Sequence, residues 1–149
     1  MSSRTRKFYK IVFYLYLAAL IWVLFNRSRY VSDVPYWEQV HRYLNLTPFK
    51  TITLYWKLLI RPVRPVLTKL AVYNLAGNIL LFIPMGILIP TLWEHFRKLW
   101  KTLLLAAVFV VFAELLQVLI LAGSCDIDDL ILNLAGTAAG YPFYRFLAK

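Results

Sequence analysis

The sequence is short of acid, of cysteine and of histidine, and each shortage excludes a class of protein. It holds seven acidic residues against seventeen basic ones, with one cysteine and two histidines. The lone Cys125 leaves no intrachain disulfide framework and no cysteine-cluster metal site. His41 and His95 lie far apart with no second ligand beside either, so neither a histidine-metal site nor a serine-histidine triad is supported, and no metal or other cofactor is expected. Charged residues make up 16% of the 149 and hydrophobic residues 61%, whereas soluble domains average about 25% and about 45–50%. The formal net charge of +10 does not point to nucleic acid, because the basic residues alternate with apolar spans and form no single stripe. They read as membrane flanks facing anionic lipid headgroups.

What is present is a series of apolar runs. They predict an all-α integral membrane protein of one domain, residues 1–149, with about four transmembrane helices and an interfacial or re-entrant amphipathic helix in the first outer segment. Arg4, Arg6, Lys7 and Lys10 precede the first run, which resembles a signal peptide in its charged front. Its exit, Phe25-Asn26-Arg27-Ser28-Arg29, lacks a small-x-small cleavage pattern, so we read an uncleaved anchor over 8–25 with Lys10 snorkelling to the interface.

Residues 26–72 carry eight basic and two acidic residues, four of the seven prolines, and the aromatics Tyr30, Tyr36 and Trp37. Within them, Thr47 as N-cap and Pro48 at the first helical position predict a helix over 47–60. It is too short and too charged to span. It fits an interfacial segment that Pro62 and Pro65 bring to a stop.

The second span, 73–92, places Asn74 and Asn78 on one face, and Pro84, Gly86 and Pro90 predict a kinked or locally unwound second half. The third, 103–122, carries Glu114 and Gln117 on one face. After a turn at 123–126 the fourth, 127–147, carries Asn133 and the spacing Gly136-x-x-x-Gly140, which suits close helix approach and offers a route to a homo-oligomer. Arg97, Lys98 and Lys101 share a side with the basic N-terminus and with Arg145 and Lys149, which predicts cytoplasmic termini. The acidic turn and the 26–72 segment then face outward.

A carboxylate inside a span is costly and is functional by default. At 1.5 Å per residue, Glu114 lies roughly 12 Å from the outer end of its expected helix. Asn74, Asn78, Gln117 and Asn133 reach compatible depths, and Asp126, Asp128 and Asp129 cap the group. These eight residues are the candidate polar cluster. Capping offers a plainer role for the aspartates, with Asp126 as N-cap, Asp129 at N3 and Asp128 facing the helix dipole. A protonated Glu114 clamped to an asparagine is the corresponding plain reading of that residue. Cys125 reads as a space-filling turn residue.

Several segments together resemble a known family: Leu44-Asn45-Leu46-Thr47-Pro48-Phe49-Lys50-Thr51-Ile52, then Asn74 with Gly77-Asn78-Ile79-Leu80-Leu81-Phe82-Ile83-Pro84-Met85-Gly86 and Pro90, then Glu114-Leu115-Leu116-Gln117, then Asp126-Ile127-Asp128-Asp129-Leu130-Ile131-Leu132-Asn133-Leu134-Ala135-Gly136 and Gly140-Tyr141. Over roughly residues 45–144 the chain is similar to the VanZ-like family of small bacterial membrane proteins, named for a protein associated with teicoplanin resistance. Many members carry an arginine just before the aspartate turn, where this chain has Gly123-Ser124-Cys125. The resemblance implies an envelope role, with reduced sensitivity to glycopeptides in some members, and supplies no reaction.

Three functions are compatible with these residues. The first is an envelope factor in the bacterial cytoplasmic membrane whose outward polar pocket binds or moves a membrane lipid or lipid-linked wall precursor, with Arg42, Lys50, Lys57, Arg61 and Arg64 holding the anionic headgroup. The second is a membrane enzyme using Glu114 or Asp128 as base, with Asp126 and Asp129 on a magnesium ion. The third is a proton- or ion-coupled carrier in which Glu114 titrates.

Overall fold

The computed structural model describes residues 2–26 and 33–147. Arg27, Arg29, Tyr30 and Lys149 lie outside them. Among the described residues six helices occur: α1 (Ser3–Phe25), α2 (Tyr36–Arg42), α3 (Lys50–Ile60), α4 (Pro65–Leu92), α5 (Leu99–Leu119) and α6 (Ile127–Leu147). Two-residue strands, β1 (Leu44–Asn45) and β2 (Cys125–Asp126), pair in parallel, Leu44 opposite Cys125 and Asn45 opposite Asp126. Three helices, α1, α4 and α5, are long and apolar enough to cross a membrane.

Helix boundaries depart from the sequence reading for local reasons. The first helix starts at Ser3 because the Ser2 hydroxyl accepts from the Thr5 N–H at 3.2 Å. The second apolar helix starts at Pro65, whose fixed φ and missing N–H suit a first turn; Pro65 therefore opens α4 where it was expected only to stop the preceding helix. Residues 36–42, expected as part of a connection, form α2. Pro84 and Pro90 sit inside α4 without ending it. A proline removes one donor and crowds the carbonyl four residues back, but neighbouring groups absorb this in a packed membrane helix. Here Tyr16 Oη donates to the Leu81 carbonyl at 2.8 Å and Thr91 Oγ1 to that of Ile87 at 2.6 Å. Of the kinked or locally unwound half that the prolines predict, the unwinding is not found, since α4 is continuous through both.

α5 stops at Leu119, three residues short of the expected end. The Leu121 N–H bonds to the Val118 carbonyl and the Ala122 N–H to that of Gln117, with Leu121 at φ 54°. This is a Schellman closure with leucine in the left-handed position that glycine usually takes. Glu114 is accordingly five residues, roughly 7–8 Å, from the helix end, shallower than expected.

α4 and α6 form the tightest seam. A Cβ on Gly136 would lie 2.1 Å from the Ile79 carbonyl oxygen, one on Gly140 2.1 Å from that of Ile83, and one on Gly86 2.0 Å from that of Thr137. The glycine spacing on α6 is thus used within the chain. A homo-oligomer through Gly136 and Gly140 would have to displace α4 from the same face. Around this seam the apolar core collects Leu20 and Leu24 of α1, Phe82, Met85 and Ile89 of α4, and Ala106, Val110 and Ala113 of α5. Helical spacing sorts α5 cleanly: Ala106, Val110, Ala113, Glu114 and Gln117 face inward, and Leu104, Val108, Phe112 and Leu115 face outward.

Side-chain contacts also define two ends. Arg6 reaches the Leu92 carbonyl at 3.5 Å and Tyr141 donates to the Arg97 carbonyl, so the start of α1, the 93–98 loop and the end of α6 lie together. At the opposite end Gln117 donates to the Leu24 carbonyl at 2.7 Å, Tyr36 to that of Leu119 at 2.7 Å, and the Cys125 N–H to that of Tyr43 at 2.9 Å.

Candidate functional site

The polar residues assemble at the second of these ends, in two adjoining groups. The first is a clasp made by the turn aspartates. Asp128, fully buried, accepts the backbone N–H groups of Phe49 at 2.5 Å, Thr51 at 2.7 Å and Ile52 at 3.0 Å. These are orphan donors of the first turn of α3, so a carboxylate from the last helix caps the start of a helix about eighty residues earlier. Phe49 stands in the left-handed region at φ 62°, which turns its N–H toward Asp128. Asp126 Oδ2 accepts Thr51 Oγ1 at 2.6 Å and Asn45 Nδ2 at 3.1 Å, and its Oδ1 accepts the Asp128 N–H at 2.9 Å. Asp126 therefore does cap α6, while Asp128 does more than face its dipole. Thr47 and Pro48 stand outside α3: its cap comes from Asp128, in trans.

The second group lines an internal cavity of about 10 Å³ between α1, α4, α5 and α6, at the lower limit of room for one water molecule. Asn78, Glu114, Gln117, Asp129 and Asn133 supply its polar wall, and Leu24, Phe82, Val110 and Ala113 the apolar remainder. Asp129 accepts Asn78 Nδ2 at 2.6 Å. Cys125 Sγ donates to Glu114 Oε2 at 3.7 Å, whereas Glu114 Oε1 and Asn133 Oδ1 are buried without a hydrogen-bond partner. Burial, and next the Glu114 carboxylate beside it, push the Cys125 thiol up to about 11.

Of the eight residues expected to converge, five line this cavity. Asp126 and Asp128 belong to the clasp, and Asn74, one turn along α4 from Asn78, is not part of the lining. Each clasp carboxylate accepts three hydrogen bonds. Sequence reasoning missed the clasp's other half, Asn45, Thr51 and the Phe49 amide. The polar side chains of Asn45 and Thr51 on either side of Pro48 were the available signal.

The basic residues expected to hold headgroups separate as well. Arg42 pairs with Glu38 at 2.7 Å on exposed α2. Lys57 and Arg61 line an open groove of about 520 Å³ with Leu54, Leu58, Ile60 and Val63. Arg64 lines a second of similar size with Val63, Pro65, Val72 and Tyr73, together with Lys69, which sequence reasoning did not single out. Lys50 is exposed at the start of α3. None of these five cations outside α2 pairs with a carboxylate among the described residues.

Large apolar side chains on the outside, such as Leu15, Trp22, Leu80, Val108 and Phe112, and buried Asn, Gln, Glu and Asp within, define a helical membrane protein. A family model described as VanZ/LLP1 matches residues 13–148, and the chain belongs to that family. The match takes in the latter part of the first apolar helix, from residue 13, which the residue-by-residue resemblance did not reach. No curated protein and no solved structure matches the chain.

Proposed function

We propose that this chain is a multi-pass protein of the bacterial cytoplasmic membrane, with both termini cytoplasmic, that holds an anionic amphiphile on its outward side and thereby lowers sensitivity to teicoplanin-type glycopeptides. The amphiphile is a membrane lipid or a lipid-linked wall precursor. α3 lies in the interface, and α6 completes a fourth span. The carrying observation is the elbow between α3 and α4, where two apolar-walled grooves are rimmed by Lys57, Arg61, Arg64 and Lys69. Apolar walls suit acyl or prenyl chains, and unpaired cations suit a phosphate. The polar cavity has room for about one water and none for a lipid, so in this reading Glu114, Asn78 and Asn133 hold the helices that present the elbow and do not contact the ligand. The clasp fixes the attitude of α3.

The test is a charge reversal. Lys57→Glu with Arg61→Glu, in protein that inserts and accumulates normally, is expected to abolish preferential binding to vesicles containing anionic phospholipid and to return glycopeptide sensitivity to that of cells lacking the protein. Full tolerance and unchanged vesicle binding in that variant would refute the elbow as the site.

A further inference from the structure

The cavity between the helices is rich in acceptors and poor in donors. Asn78 Nδ2 is spent on Asp129, Gln117 Nε2 on the Leu24 carbonyl, and Cys125 Sγ on Glu114 Oε2. Two acceptors remain without any donor, Glu114 Oε1 and Asn133 Oδ1, on side chains only 6% and 3% exposed. The titratable neighbours are Asp129 from α6 and Asp126 and Cys125 from β2; α1 and α4 contribute none to the lining. Among the described residues no lysine, arginine or histidine lines the space. A buried carboxylate with no cation beside it is very costly, and the usual resolution is neutralisation. An unmet buried acceptor carries a further penalty of about 1–3 kcal/mol.

We propose that this cavity is a binding site for one proton and one water, with the proton on Glu114 Oε1 and the water relaying its hydrogen bond to Asn133 Oδ1. One proton turns Oε1 into a donor, and one water, for which the cavity has about the room required, links it to the second orphaned oxygen. Both unmet groups then have a partner. Asp129, the other carboxyl of the lining, already accepts from Asn78 and stands in the first turn of α6. Loss of the proton would set a second negative charge beside Asp129 and Asp126, on the turn that carries the clasp. The proton site does not depend on what the elbow binds.

Infrared spectroscopy of the full chain in lipid at neutral pH tests this directly. The expected result is a carbonyl-stretch band of a protonated carboxylic acid, shifted on exchange into deuterated water, corresponding to a single carboxyl and absent in Glu114→Gln. Asn133→Ala should keep the band but move it, since its hydrogen-bonded relay is gone. Glu114→Gln should melt within a few degrees of wild type, because an amide mimics the neutral acid. Absence of the band in wild type, its persistence in Glu114→Gln, or melting that rises with sodium concentration in wild type but not in Glu114→Gln would overturn the proposal, the last in favour of a bound cation.

Discussion

Removing the Asp128 carboxylate is the sharpest perturbation this architecture allows. It meets three backbone N–H groups at 2.5–3.0 Å on a side chain with no exposed surface. Hydrogen bonds to a charged group contribute about 1.5–3 kcal/mol each, but freed amides at the start of α3 regain water or headgroups, so about 1 kcal/mol net apiece is the appropriate figure. Three bonds then amount to about 3 kcal/mol, or roughly a hundredfold in the opening equilibrium of the first turn of α3. Asp128→Ala should therefore raise the hydrogen-exchange rates of the Phe49, Thr51 and Ile52 amides about a hundredfold, with the amides of α4 near Phe82 unaffected. Asp128→Asn retains one oxygen and turns an N–H toward one of the donors, so its effect should be intermediate, about tenfold. Unchanged exchange at residues 49–52, or an equal acceleration throughout α4 and α6, would refute the clasp as the local anchor of α3.

Further outcomes follow from the same geometry. Gly136→Ala and Gly140→Ala each drive a methyl group to within 2.1 Å of a backbone oxygen of α4; each should lower stability by about 1–3 kcal/mol or more in detergent melts, whereas Gly77→Ala, with nothing within 4 Å, should be neutral or stabilising by up to about 1 kcal/mol. Because the Cys125 thiol is pushed up to about 11, only about one molecule in a thousand is thiolate at pH 8, so alkylation should be slow and quicken about tenfold per pH unit; a rate flat with pH would contradict the assignment. Tyr16→Phe removes the hydroxyl bond to the Leu81 carbonyl and should cost about 1 kcal/mol in the same melts.

Apolar periodicity made the helical class, the approximate spans and the inward stripe of α5 legible, because a buried Glu114 and Gln117 three residues apart must share a face. Their convergence with Asn78 and Asn133 followed from depth alone. What stayed hidden was set by long-range contact. The stop of α5 depends on Leu121 adopting a conformation that its side chain disfavours, so no glycine marks it. The start of α3 is fixed by a carboxylate from α6, so the local pair Thr47-Pro48 pointed to the wrong cap. The parallel pairing of Leu44–Asn45 with Cys125–Asp126 is too short to leave a strand pattern. Pro84 and Pro90 do not unwind α4, because neighbouring groups in a packed membrane helix make up for the backbone bonds that proline removes.

The clasp also bears on how the protein is made. The amides of Phe49, Thr51 and Ile52 leave the ribosome long before Asp128, which follows Thr51 by 77 residues. Until the last helix emerges, the start of α3 has no cap and β1 has no partner. The last turn and helix therefore complete the start of α3: a chain halted before residue 126 would leave the Phe49, Thr51 and Ile52 amides without their carboxylate and β1 without its partner strand.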